Sequence, residues 1–310
     1  MRLAAKDVLK AEQFTIDEIE GICEKAATYE AALASGQPLG ILRGKVLATL
    51  FFEPSTRTRL SFETAMLRLG GSVVSVADAR STSAAKGETL QDTIRTVEGY
   101  ADGIVVRHPD VGSAEVAARA TRRPVLNAGD GAGEHPTQSL LDVYTLRKEQ
   151  GRVEGLSIAL VGDLRHGRTV HSLATLLANY RVSIVLVSPA ALRMPEDVVR
   201  RVRARGVEVA ETETLEKAVS SCDVIYMTRI QKERFSDPAE AERLQDAYIL
   251  TRAGLRTAKP SITVMHPLPR VHEIATDVDE HPGAAYFRQS ANGVPVRMAL
   301  LSMLLAPASD

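Results

Sequence analysis

Cysteine is scarce in this chain: of its 310 residues only Cys23 and Cys222 carry a thiol. They stand in helix-like and strand-like apolar surroundings. Two isolated cysteines make neither a disulfide scaffold nor a zinc site, and they fit a reducing compartment. Long apolar runs are missing too. No stretch approaches the roughly 20 apolar residues needed to span a bilayer. Met1–Lys10 is short and mixed, without the apolar region of a signal peptide. An excess of charge is the third absence: 38 Lys and Arg stand against 39 Asp and Glu, a formal net charge of −1. The molecule as a whole has no field to gather nucleic acid or an acidic membrane. Repeats and low-complexity tracts are lacking, and so is the Gly-x-Gly-x-x-Gly signature of a dinucleotide loop. His and carboxylate residues are not at metal-ligand spacing. The expectation is a cytoplasmic protein with no metal, no cofactor, and no nucleic-acid or membrane partner.

What is present is an ordinary globular composition, 45% hydrophobic and 25% charged, on a chain longer than one core usually organises. Two domains are expected. Thr15 with Glu18 reads as a capping box and Phe14 with Ile19 as a hydrophobic staple, opening a helix that runs to about Ser35. Strand-like runs follow at 45–52, 72–76, 103–107 and 124–127, with a helical stripe of Leu90, Ile94, Val97 and Ala101 between two of them. After residue 150 the pattern resumes at 157–161, 183–187, 207–210, 223–227 and 262–265. Strands alternating with helices predict α/β architecture: two doubly wound parallel sheets in series. No flexible linker separates them, so the helix starting at Pro136 joins the domains. Met298–Leu305 reads as an apolar C-terminal helix too short to span a membrane.

The most informative stretch is Phe51-Phe52-Glu53-Pro54-Ser55-Thr56-Arg57-Thr58-Arg59. An apolar strand leads into it. A helix leaves it, with the stripe Leu60, Phe62, Met66, Leu67 and Leu69 and a stop at Gly70-Gly71. A helix start offers unpaired N–H groups and a partial positive charge, which suit a phosphate. Arginine adds a planar fork for phosphate oxygens. A cap would explain one hydroxyl; it would not explain Arg-Thr-Arg beside it.

In open α/β sheets ligands bind beyond the carboxyl ends of the strands, and polar residues gather there in this sequence. Arg107-His108 follow one strand, and Gly129-Asp130-Gly131-Ala132-Gly133-Glu134-His135-Pro136-Thr137-Gln138 follow another. Pro136 suits a first helical position, which puts His135 at the helix mouth and Gln138 on the same side. In the second set Gly162-Asp163 to Arg168, Thr228-Arg229-Ile230-Gln231 and His266-Pro267-Leu268-Pro269-Arg270 occupy strand ends. Several converging arginines suggest two anionic ligands in one cleft. Ser81–Glu88 reads alone as a mobile surface loop, with Lys86 a solvated charge.

Ser-Thr-Arg-Thr-Arg at 55–59 and His-Pro-Thr-Gln at 135–138 resemble the transcarbamoylase family. The segments 162–171, 228–234 and 266–270 are similar to its aspartate carbamoyltransferase branch. The likeness spans nearly the whole chain. It implies a carbamoyl-phosphate domain at 1–135, completed by a C-terminal helix at about 291–310, and an aspartate domain at 136–290. It also implies transfer of the carbamoyl group of carbamoyl phosphate to L-aspartate, the committed step of pyrimidine biosynthesis, in a homotrimer with sites at subunit interfaces. By this resemblance Ser55, Thr56, Arg57, Thr58 and Arg107 hold the phosphate. Thr58, Arg107 and His135 face the carbonyl oxygen. Gln138 and the backbone carbonyls of Leu268 and Pro267, with Pro269 beside them, take the carbamoyl NH₂. Arg168, Arg229 and Gln231 take the aspartate carboxylates, and Lys86, with Thr82 or Ser83, reaches the neighbouring subunit's site. Ornithine is the rival acceptor, but ornithine enzymes carry His-Cys-Leu-Pro where this chain has His266-Pro267-Leu268-Pro269, and Arg229 would repel a cationic side chain. A non-catalytic scaffold of the same fold is the other alternative, and retention of Arg57, Lys86 and His135 speaks against it. His166 departs from the enterobacterial form, which has tyrosine there. His166, Phe287-Arg288-Gln289 and Arg297–Leu301 look like the animal form, so the resemblance leaves open regulatory or dihydroorotase partner chains and allosteric feedback.

Overall fold

The first helix, α1 (Ile16–Ala34), starts where its capping box predicts: Thr15 Oγ1 accepts from Glu18 N–H at 3.3 Å and Glu18 returns the bond to Thr15 N–H at 3.1 Å. The computed structural model describes residues 3–78, 83–235, 237–244 and 246–307, with backbone alone at 84, 233, 238, 240 and 241. After α1 the chain alternates strictly for most of its length. The elements are β1 (Val46–Phe51), α2 (Thr56–Arg68), β2 (Ser72–Val76), α3 (Leu90–Glu98), β3 (Gly103–His108), α4 (Ser113–Arg119), β4 (Val125–Asp130) and α5 (Pro136–Gln150). A second series follows: β5 (Ser157–Val161), α6 (Arg168–Leu177), β6 (Ser183–Val187), α7 (Glu196–Ala204), β7 (Glu208–Thr212), α8 (Leu215–Ser221), β8 (Val224–Met227), α9 (Pro238–Leu244), β9 (Thr263–Met265) and α10 (Tyr286–Leu305). No helix among the described residues is long and apolar enough to cross a membrane.

All strand pairings are parallel, in two sheets ordered β2-β1-β3-β4 and β7-β6-β5-β8-β9. The two doubly wound sheets expected from the alternation are thus present. Central strands read as unbroken apolar runs because helices cover both faces; β1, β5 and β8 are buried almost throughout. The outer strands β2 and β7 are largely exposed. The chain divides into two compact units, residues 1–141 with 292–310, and residues 142–291. Both divisions fall inside helices, α5 and α10.

Details differ from the sequence reading for local reasons. Strand β4 continues through Gly129 and Asp130, which the residue types assign to a turn; Asp130 pairs with His108 across a register shift. The buried stripe of α2 is Phe62, Ala65, Met66 and, just past its end, Leu69, at spacings of three and four. Leu60 and Leu67 lie off that stripe and remain 48% and 60% exposed. Ala101 is buried beyond the end of α3. The last helix begins at Tyr286 rather than Met298 and runs through Pro295, which forgoes one helical hydrogen bond.

One buried polar chain crosses the second unit. Tyr226 Oη donates to Asp142 Oδ2 at 2.8 Å, and Gln289 Nε2 donates to Asp142 Oδ1 at 2.7 Å. Gln289 Oε1 then accepts from His266 N–H at 2.9 Å. Burial, with the neighbouring Asp142, pushes the Tyr226 phenol well above its ordinary value. Tyr226→Phe leaves the buried carboxyl one donor short. It is expected to cost about 1.5–3 kcal/mol of stability, read as a lower urea midpoint with an unchanged slope.

Candidate active site

Each sheet has a point where its winding reverses. In the first, β1 lies between β2 and β3, so the chain leaves β1 toward both sides; in the second, β5 stands likewise between β6 and β8. Crevices open beyond the carboxyl ends of the strands at such points. The connections following β1, β4, β5, β8 and β9 carry most of the candidate residues, and Arg107 stands at the end of β3.

In the first unit Phe51 is paired with Arg107, and Phe52 N–H donates to Arg107 O at 2.8 Å. That pairing sets the 52–58 loop beside the end of β3. Ser55 precedes α2 in extended conformation and its side chain makes no capping bond, so its hydroxyl is not spent on starting the helix. Thr56 and Arg57 are exposed in the first turn, Ser55 is half-buried and Thr58 is buried. Arg59 turns aside to Glu63 and Ser75 at 3.6 and 3.4 Å. Arg107 is oriented by two acceptors: Glu53 Oε2 lies 2.9 Å from Nη2 and the Ala128 carbonyl 3.1 Å from Nη1. Nothing local assigns Glu53 this role; an acidic residue beside the basic segment 55–59 is the one signal the sequence carries for it.

His135 and Gln138 are both buried at the start of α5. The turn before them is tied down: Asp130 accepts from Glu134 N–H at 2.7 Å and Gly112 N–H at 2.9 Å, and Gly131 N–H donates to His108 O at 2.9 Å. Gly131 has φ +52, and a Cβ there would sit 2.4 Å from Pro109 O, so no other residue fits. Arg297, on α10 and 2% exposed, joins the two helix starts. It donates to Ser61 Oγ of α2 at 2.8 Å and Thr137 Oγ1 of α5 at 3.3 Å, with its guanidinium 4.8 Å from the Phe62 ring centroid. Lys86 is exposed at the end of a 3-10 turn, Ser83–Lys86, in the connection after the outer strand β2. Thr82 lies outside the described residues.

In the second unit Gly162 has φ +118, and a Cβ there would meet Thr228 O at 2.3 Å. Only glycine allows the ends of β5 and β8 to approach this closely. Fully buried Asp163 organises both loops. It accepts from His166 N–H at 3.0 Å and Gln231 N–H at 3.2 Å, and its carboxylate lies 3.2 Å from His166 Nδ1. Gln231 Nε2 is engaged by His166 O at 2.9 Å. Arg168 opens α6 and is 8% exposed, while Arg229 is half-buried with Nη1 3.4 Å from Ile230 O. Pro267, Leu268 and Pro269 follow β9, the neighbour of β8. Their turn has Leu268 at φ +54 and a cis bond to Pro269. Side chains to which sequence reasoning gave no role hold these groups, namely Glu53, Asp163 and Arg297. Each acts at least in part through a partner distant along the chain.

The first unit thus presents hydroxyls, guanidiniums and helix-start N–H groups suited to a phosphate, and the second presents guanidiniums suited to carboxylates. A family model described as the aspartate/ornithine carbamoyltransferase carbamoyl-P binding domain matches residues 6–148, and its Asp/Orn binding domain matches 154–304. The chain belongs to the aspartate/ornithine carbamoyltransferase family. Within that family it is 53% identical over 305 residues to the aspartate carbamoyltransferase catalytic subunit of Thermococcus onnurineus, covering 98% of both chains. It is 49% identical over 302 residues to the multifunctional protein pyr1-3 of Dictyostelium discoideum, of which the match covers 14%. The aspartate transcarbamoylase of Trypanosoma cruzi, solved with carbamoyl phosphate and aspartate, superposes with a TM-score of 0.94 at 45% identity, covering 98% of each chain.

The pH response of this carbamoyltransferase scaffold has a local source beside Arg168. His171 Nε2 lies 2.7 Å from Leu164 O and so carries the proton. Enclosure of the ring holds its pKa below the usual value, against the opposing pull of the Leu164 carbonyl and Asp163. The folded value is depressed, so on acidification the unfolded chain takes the proton first. This contribution is complete above about pH 6.5 and declines as pH falls toward the folded value. The urea midpoint is expected to drop from about pH 7 to about pH 5. His171→Gln, which keeps a donor for Leu164 but does not titrate, should show the shallower drop.

Proposed function

We propose that this chain transfers the carbamoyl group of carbamoyl phosphate to the amine of L-aspartate, giving N-carbamoyl-L-aspartate and phosphate, as in the first committed step of pyrimidine synthesis. The observation that carries the reading is the placement of anion-binding groups at both sheet reversal points of a chain so similar, over its full length, to aspartate carbamoyltransferase catalytic subunits. In this reading Ser55, Thr56, Arg57, Thr58 and Arg107 grip the phosphate. Thr58, Arg107 and His135 donate toward the carbonyl oxygen. Gln138 and the carbonyls of Pro267 and Leu268, with Pro269 shaping their turn, take the carbamoyl NH₂. Arg168, Arg229 and Gln231 take the aspartate carboxylates. Residues 1–135 with the C-terminal helix form the carbamoyl-phosphate part and 136–290 the aspartate part.

The α-amine attacks the carbamoyl carbon, the bond to the phosphate oxygen breaks, and the departing phosphate accepts the amine proton. Negative charge builds on the carbonyl oxygen in the tetrahedral intermediate. Donors fixed beforehand stabilise it without reorganising, and losing one such donor typically costs about 10²–10³ in rate. Glu53 and Ala128 O support this by setting the Arg107 fork before substrate arrives. Holding both substrates in one orientation supplies much of the remainder. A carbamoyl-aspartate assay with aspartate and ornithine compared as acceptors tests the reading; product with ornithine alone overturns it. In the same assay Arg229→Ala should raise the KM for aspartate by about 10–100-fold, with a much smaller effect on carbamoyl phosphate. Equal effects would remove Arg229 from the aspartate site.

We further infer a homotrimer in which Lys86, with Ser83 or Thr82, completes the site of a neighbouring copy. The support is its exposed position after an outer strand, together with the exposed apolar surface of Leu60, Leu67 and Val74. Two buried cysteines outside any disulfide, Cys23 and Cys222, suit a cytoplasmic setting. The Dictyostelium relative, in which the matching region is 14% of the length, supports fused or associated partner chains such as a dihydroorotase. Lys86→Ala and Arg57→Ala chains, each nearly inactive alone, should regain activity when mixed, dissociated and reassembled. One site in a mixed trimer would then draw Arg57 from one chain and Lys86 from the other. Mixed trimers, confirmed by native mass spectrometry, without recovery would place the whole site within one chain.

A further inference from the structure

His266 is 1% exposed, and both nitrogens of its ring are bonded within the protein. Leu268 N–H donates to His266 Nδ1 at 2.8 Å, which makes Nδ1 the unprotonated nitrogen. Nε2 therefore carries the hydrogen and donates to Glu273 Oε1 at 2.7 Å. The other oxygen of Glu273, itself 6% exposed, accepts from Val271 N–H at 3.2 Å and His272 N–H at 3.1 Å. The His266 backbone is held in turn by Gln289. Burial would raise the Glu273 carboxyl, but its bond to His266 and the backbone donors hold it below the usual carboxylate range. On the far side of the turn Arg270 is paired with Asp279, Nη2 to Oδ2 at 2.6 Å, and contacts Tyr286 Oη at 3.2 Å.

These bonds enclose one unusual residue. Leu268 has φ +54, a left-handed conformation that a branched side chain avoids and that persists only where its surroundings hold it. Burying an imidazole against a carboxylate is a poor way to fill a core, since apolar groups of the same volume do so at less cost. What the pair does supply is an acceptor aimed at Leu268 N–H. We propose that His266 and Glu273 are positioning residues for carbamoyl transfer: Nδ1 of His266, its tautomer set by Glu273, holds the left-handed turn and thereby fixes the direction of the Leu268 carbonyl. The inference rests on the reading above, in which that carbonyl accepts from the carbamoyl NH₂.

Two substitutions separate this role from plain structural support. In His266→Asn, Oδ1 stands where Nδ1 stood and keeps the Leu268 bond, but buried Glu273 loses its donor. In His266→Gln, the amide keeps a donor for Glu273 and loses the acceptor for Leu268. Stability is therefore expected to rank Gln above Asn, and kcat to rank Asn above Gln. The Gln enzyme should fall by about 10²-fold, the usual result of misplacing a group by about 1 Å. KM for aspartate should change much less than kcat. Exchange of the Leu268 amide hydrogen, followed by NMR, should be fast in the Gln chain and slow in the Asn chain. If His266→Asn alone does not fold, His266→Asn/Glu273→Gln, which buries no charge, takes its place with the same expectation. Turnover that follows stability, wild-type kcat in both variants, or equal Leu268 exchange in both overturns the proposal. An inactive parent enzyme would instead overturn the carbamoyl-transfer reading, and the amide exchange would still decide what His266 holds.

Discussion

Arg297 places a guanidinium inside the first unit, where a charge is costly unless it is well bonded. Its bonds go to Ser61 and Thr137, and its face lies over the Phe62 ring. Those partners belong to the two helices whose first turns carry Ser55–Thr58 and His135–Gln138. A flexible or apolar side chain could fill the same space, but could not hold two helix starts at a set spacing with directional bonds. Because α10 supplies this arginine from beyond residue 292, the ends of the chain's length are needed to build the site near its beginning.

The second unit solves the same problem with a carboxylate. Asp163 is fully buried and draws His166 and Gln231 toward one point, while Gly162 lets the backbones of β5 and β8 come within reach. Both units thus use a buried ion as a spacer and leave other charges for ligands. Glu53 serves Arg107 similarly. Near-surface ion pairs add little stability, yet a bidentate fork held in place by Glu53 and Ala128 O loses less freedom when an anion arrives.

The structure also separates positioning residues from residues that could touch substrate. Burial is not the difference, since Arg57, Thr56 and Lys86 are exposed while Thr58, His135, Gln138 and Arg168 are buried. His266, Glu273, Asp163 and Arg297 are instead set apart by bonds to the backbone and side chains that shape the loops. Contact groups carried on a rigid polar frame are what pre-organised binding requires. The His266 turn shows how far the frame extends: Leu268 is connected through His266 and Gln289 to Asp142 and Tyr226, deep in the core.

Most strands among the described residues were legible in the sequence because parallel strands buried on both faces appear as short apolar runs, and helices between them keep a period near four. Helix starts with local signatures, such as Thr15-x-x-Glu18, were legible for the same reason: the interacting groups are three residues apart. Ser55–Thr58, His135 and Gln138 could be singled out because their residue types are unusual at a strand end. The extent of β4, the exposure of Leu60 and Leu67, and the start of α10 at Tyr286 could not be read this way, since neighbours far along the chain decide them. The same holds for Glu53 with Arg107, Asp163 with Gln231, and Arg297 with Ser61 and Thr137. By itself the sequence determined the order and type of the elements and the chemical character of the loops, both of which depend on local periodicity and residue type. The tertiary structure alone decided which charges are spent on holding the frame and which face outward, because that depends on hydrogen-bond partners tens to hundreds of residues apart.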